Sequence, residues 1–106
     1  MKQHYVTIFR SRLKPEYQEE YSIVANRMSD LVHMIEGFVG YKTFTAADGE
    51  RVTIAEFDSA QSQDVWRRHP EHLEAQKKGR EKFYAEYHIQ VCSLVRDYSH
   101  GSKRQG

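Results

Sequence analysis

The stretch from Trp66 to Tyr87 carries most of the side chains in this sequence that are suited to chemistry. Read as a helix restarting at His69-Pro70, it places Leu73, Gln76, Arg80, Tyr84 and Tyr87 within about one third of the circumference at 3.6 residues per turn. His72 and Phe83 fall at the edge of that face. A helix that only packs would fill such a face with aliphatic groups. An amide, a guanidinium and phenol hydroxyls fit the wall of a cavity instead. The competing reading is that Gln76 and Arg80 are rim residues with buried stems and wet heads. Trp66, the only tryptophan, is either a packing residue or a ring on which a flat ligand stacks. His69, immediately before Pro70, suits a helix cap.

Other chemistries find little support. His69 and His72 lack a carboxylate or third histidine placed to complete a metal site. The single cysteine, Cys92, excludes an intrachain disulfide and a cysteine-based zinc cluster. Lying in an apolar run, it reads as a buried, inert thiol. Glu36, Glu56 and Asp58 show no spacing that pairs them as acid and base. Neither a phosphate-cradling glycine loop nor a nucleophile elbow is present.

The elements that must position these residues are clearer. Residues 5–12 read as a strand rich in β-branched and aromatic types, with Val6 and Ile8 on one face and Tyr5, Thr7 and Phe9 on the other. Both faces are partly apolar, as in a strand covered on two sides. Lys14-Pro15-Glu16 opens a helix, and Tyr17, Tyr21, Val24, Met28, Leu31 and Ile35 form its apolar stripe. Gly37 closes it in a left-handed cap. Asp48-Gly49 joins strands over 38–45 and 51–57 as a tight hairpin. Asp58 and Gln61 form a capping box for a short helix over 59–68, and the next helix runs to about Tyr84. Residues 87–98 form the last strand, with Ile89, Val91 and Val95 on one face and Cys92 and Leu94 on the other. Residues 3–98 thus make one domain, and the polar residues 99–106 read as a mobile tail.

This order predicts an α+β, ferredoxin-like βαββαβ antiparallel sheet with helices on one face. The second apolar sheet face then calls for a partner, and a homodimer stacking two sheets would supply it. Sixteen basic against fifteen acidic residues leave no electrostatic footprint for nucleic acid. No signal-like segment and no run of membrane-spanning length is present, so the expectation is a cytoplasmic protein without nucleic-acid or membrane partners. Seven tyrosines suit half-wet surfaces such as pocket walls and subunit contacts.

Glu36-Gly37-Phe38-Val39-Gly40-Tyr41, the strand ending Glu56-Phe57, and Trp66-Arg67-Arg68-His69-Pro70-Glu71-His72 resemble the antibiotic biosynthesis monooxygenase family. The resemblance spans about residues 3–98 and implies a dimeric α+β barrel with a cavity between sheet and helices in each subunit. It further implies a cofactor-independent monooxygenase acting on a small phenolic or quinol-type aromatic. On that reading Trp66, His72 and Arg80 are the catalytic candidates, with His72 or Arg80 stabilising the substrate anion. Phe9, Gln76, Phe83 and Tyr84 bind the substrate, and no cofactor is required. A second reading is a dimeric protein that binds a small aromatic or tetrapyrrole without turning it over. The family's heme-degrading branch is similar in its tryptophan at Trp66, but Phe9 and Gln76 stand where that branch has an asparagine and the heme-ligating histidine. Glutamine does not replace imidazole as an axial ligand, so heme degradation is disfavoured.

Overall fold

Residues 3–101 are described in a computed structural model of the chain. Strand β1 (Tyr5–Leu13) leads through a 3-10 turn (Pro15–Tyr17) into helix α1 (Gln18–His33). Strands β2 (Phe38–Thr45) and β3 (Arg51–Phe57) follow, then helices α2 (Ala60–Arg67) and α3 (Pro70–Lys78), a π-turn (Gly79–Phe83) and strand β4 (Tyr84–Ser93). The four strands form one antiparallel sheet in the order β2-β3-β1-β4. This is the ferredoxin-like βαββαβ arrangement expected from the element order. Among the described residues no helix is long and apolar enough to cross a membrane.

The register explains how the sheet divides its side chains. Ile8 pairs with Ile54 and Gln90, while Phe9 pairs with Thr53 and Ile89. Because alternate residues face opposite ways, Thr7, Phe9, Thr53, Ala55, Phe57, Tyr87 and Ile89 turn towards the helices. Val6, Ile8, Val52, Ile54, Phe44 and Cys92 turn away from them. Phe57, only 1% exposed, anchors the covered side together with Phe83, Leu31 and Val32. The α1 stripe behaves as its spacing predicts in the middle, where Tyr21, Val24 and Met28 face the sheet. Tyr17 lies in the preceding 3-10 turn and is largely exposed.

Gly37 is fixed by two constraints. Its φ of +96° is a conformation that side chains rarely adopt. A Cβ there would also lie 2.4 Å from Asp58 Oδ1 and 2.7 Å from Ser62 Cβ. The helix ends earlier than expected, at His33, and a turn through residues 34–37 carries the chain to β2. The β2–β3 connection is wider than a two-residue turn: the Gly49 amide donates to the Ala46 carbonyl at 3.0 Å, and Gly49 takes φ +92°. This is a type I turn followed by a left-handed glycine, the usual three-residue alternative.

Three further expectations are corrected. The cap of α2 is Ser59, whose hydroxyl accepts from the Ser62 amide at 3.1 Å, and Asp58 instead accepts from the Ser62 hydroxyl at 3.1 Å. The final helix does not reach Tyr84. It stops at Lys78, unwinds through the π-turn, and Tyr84 and Tyr87 belong to β4. Tyrosines three residues apart share a helical face but alternate across a regular strand; here Tyr84 pairs with Leu13 and Tyr87 with Ser11, and a bulge opposite Arg12 and Leu13 keeps both on the cavity side of β4. Lastly, β4 ends at Ser93, and Cys92 is exposed on the outward face rather than buried. Of the expected tail, residues 99–101 carry no regular structure, and 102–106 lie outside the described residues.

Candidate active site

Between the covered face of the sheet and the three helices lies a cavity of ≈ 300 Å³, at the lower end of the range for small-molecule sites. Trp66, His72, Gln76, Phe9, Phe83 and Tyr84 all line it. Arg80 does not: it is exposed, and its nearest polar contact is the Tyr87 hydroxyl at 3.5 Å. The π-turn widens the backbone at Gly79–Phe83 and carries Arg80 off the inner face that an uninterrupted α-helix would have given it. Leu73, expected on the same face, is 51% exposed.

Trp66 and His72 are brought together by the break between α2 and α3. His69 caps α3 as its place before Pro70 predicts, its Nδ1 accepting from the Glu71 amide at 3.1 Å. That turn folds the first turn of α3 back on the last turn of α2. The His72 and Trp66 rings stack with centroids 4.1 Å apart and planes 14° from parallel. His72 Nδ1 lies 2.9 Å from the Trp66 carbonyl oxygen. A carbonyl only accepts, so Nδ1 carries the hydrogen and Nε2 keeps the lone pair. Burial holds the His72 pKa below its ordinary value, and nearby His69 adds to this; the hydrogen bond to the Trp66 carbonyl opposes both. The result is a neutral imidazole of fixed tautomer on the wall of a largely apolar cavity.

A second polar group lies at the hairpin end of the sheet, where Arg51 opens β3 opposite Ser11 and Thr45. Its Nη1 donates to the Tyr21 hydroxyl at 3.0 Å, and its guanidinium carbon lies 5.4 Å from the centre of the Tyr21 ring. Tyr84 packs edge-on to Phe9 at 5.4 Å and to Tyr21 at 6.1 Å. Burial raises the Tyr84 hydroxyl pKa well above the ordinary tyrosine value, with Tyr21 adding to the shift, so Tyr84 remains a neutral donor. On the floor between these groups, the Thr43 and Thr53 hydroxyls pair at 2.8 Å. The Thr7 hydroxyl is buried without a partner. A native orphan of this kind in a cavity wall invites a ligand or a water.

Arg51, Tyr21 and Thr7 were not singled out from the sequence. The available signal was strand parity: Thr7 shares a face with Phe9, a predicted substrate-binding residue, and Arg51 shares one with the apolar Phe57. Tyr21 was seen only as part of an apolar stripe, and its hydroxyl went unused. Among the described residues no group of three or more His, Cys, Asp or Glu side chains is placed to hold a metal ion.

Sheet and helices define a ferredoxin-like α+β protein with a cavity between its layers. Residues 4–78 match the antibiotic biosynthesis monooxygenase family. A Bacillus subtilis relative, the uncharacterized protein YqjZ, is 36% identical over 93 residues, covering 88% of this chain and 81% of the relative. The chain belongs to the antibiotic biosynthesis monooxygenase family. Rv0793 from Mycobacterium tuberculosis shares the fold with a TM-score of 0.77 at 20% identity, over 91% of this chain and 99% of that one. So does SnoaB, a cofactor-independent oxygenase from Streptomyces nogalater, with a TM-score of 0.75 at 14% identity, over 92% and 99% of the two chains.

Proposed function

We propose that this protein is a cofactor-independent monooxygenase that oxidises a small phenolic or quinol-type aromatic in the cavity between sheet and helices. The observation that carries the reading is His72: a neutral imidazole, locked by its Nδ1–H to the Trp66 carbonyl, on a cavity wall built largely of aromatic rings. Family membership and the fold shared with SnoaB support it.

His72 Nε2 takes the proton of the bound substrate, leaving an electron-rich anion beside the new imidazolium. Trp66 fixes the plane of the imidazole. Phe9 and Phe83 exclude water, while Gln76 and Tyr84 supply polar contacts to the ligand. The anion adds to dioxygen to give a peroxide at carbon, which loses water. For a ring CH₂ flanked by phenols, two C–H bonds are replaced by a carbonyl. One atom of dioxygen becomes the carbonyl oxygen and the other leaves as water. The substrate supplies all four electrons, so no external reductant is consumed.

The outward sheet face supports a homodimer. Phe44 is 50% and Ile54 42% exposed there, beside Val6 and Ile8, a patch that two stacked sheets would cover.

Oxygen uptake with a panel of hydroquinones and anthrones tests the activity. Uptake saturable in substrate, and reduced about 10²–10⁴-fold in His72→Gln, is the expected result. Saturable quenching of Trp66 fluorescence without oxygen uptake from any of them would replace the oxygenase by a binding protein.

A further inference from the structure

We infer that the Arg51 end of the cavity is a carboxylate-binding site, so that the preferred aromatic ligand also carries a carboxylate group. This rests on the cavity being the ligand site, as proposed above, and adds the substrate class.

Arg51 is half-buried and lines the cavity, yet among the described residues no carboxylate pairs with it. The nearby acids are taken by other cations. Glu50, its neighbour in sequence, points to the opposite sheet face and accepts from Arg10 at 2.9 and 3.0 Å. Glu86 and Asp48 are held by Arg12, and Glu20 by Lys82. Arg51 spends one hydrogen bond on Tyr21, although a guanidinium has five N–H donors in a planar fork that matches a carboxylate.

A charge drawn out of water without a counterion is costly. The Tyr21 ring beneath the guanidinium offsets part of that cost. A bound carboxylate would complete the compensation. The surroundings suit such a ligand: the aromatic rings of Phe9, Tyr84 and Tyr87 flank the site with centroids 5.4–5.7 Å apart and can hold a ring against the fork. The Tyr84 hydroxyl remains a donor to an anion, never a competing negative charge. A neutral phenol would bring the guanidinium no counter-charge.

The test is calorimetric titration of the full chain with 2-naphthoate and its neutral isostere 2-naphthamide, which differ in charge and hardly in shape. Wild type is expected to bind the naphthoate about tenfold or more tightly than the amide, the range of a charged hydrogen bond. Arg51→Met should bring the two affinities together, with an unchanged far-ultraviolet circular dichroism spectrum showing that the variant is folded. Arg51→Lys, which keeps the charge and loses the fork, should retain part of the preference. Equal affinities in wild type, no saturable binding of the naphthoate, or a preference that survives Arg51→Met would each overturn the inference. The readout is binding alone, so a failure of turnover counts against the oxygenase reading and not against this one.

Discussion

Gly79 gives the sharpest test of how the cavity wall is built. It has helical backbone angles (φ −58°, ψ −47°), where alanine would ordinarily be preferred by about 1 kcal/mol. Here a Cβ would lie 2.6 Å from Cε2 and 2.8 Å from Cδ2 of Tyr84. Ordinary carbon contacts begin near ~3.5 Å, so the ring must shift by about 1 Å. It has little room, being packed edge-on against Phe9 and Tyr21 at 5.4 and 6.1 Å. Overpacking of this sort costs about 1–3 kcal/mol. Set against the helical gain, Gly79→Ala should lose about 1 kcal/mol net, a fall in Tm of about 4–8 °C for a domain of this size. The effect should reverse sign in a Tyr84→Ala background, where the obstacle is gone and only the propensity gain remains. Thermal and urea denaturation of the four proteins of this cycle measures the coupling, expected to be about 2 kcal/mol. Stabilisation by Gly79→Ala in the wild-type background would refute the packing described for Tyr84.

Other consequences follow from protonation and from the outward face. Burial lowers the His72 pKa in the folded state from 6.5, so the unfolded chain binds that proton more readily. The associated stability is full above pH ~6.5 and is lost as pH falls; urea midpoints between pH 7 and 5 should therefore decline more steeply in wild type than in His72→Gln. For the same reason the rate should rise with pH through an apparent pKa below ~6.5 and then level off. Tyr84, with its pKa raised, should stay protonated through the ordinary tyrosine range, so Tyr84→Phe leaves the tyrosinate absorbance gained up to pH ~11 unchanged. The associated stability is lost as pH rises above the unfolded value of ~10. If two sheets stack, light scattering at micromolar concentration gives twice the chain mass for wild type and the chain mass for Ile54→Lys. A monomeric wild type would refute the dimer.

Local signals in the sequence located most of the framework. Pro15 and Gly37 bracketed the first helix, Asp48-Gly49 placed the hairpin, and His69-Pro70 marked the restart that stacks His72 on Trp66. The misreadings arose where a local pattern was compatible with two outcomes. Tyr84 and Tyr87 have helical spacing, and they share a side of β4 only through the bulge opposite Arg12 and Leu13, which pairing with β1 reveals. Because of that overrun, Arg80 looked like the cavity's cation, whereas the π-turn leaves it in solvent and Arg51 lines the wall. Cys92 sat in an apolar run, but such a run on an edge strand has one outward face. The roles of Arg51 and Tyr21 depend on a contact across thirty positions of sequence, which no local pattern encodes.

The account stands or falls on oxygen transfer from dioxygen to carbon without an added cofactor. Turnover of an anthrone that supports uptake, under ¹⁸O₂ in unlabelled water, measures this by mass spectrometry of the product. One ¹⁸O atom in the new carbonyl, with formation slowed about 10²-fold or more in His72→Gln, is the result predicted. Product oxygen derived from water, or a labelling rate unchanged by His72→Gln, would contradict it.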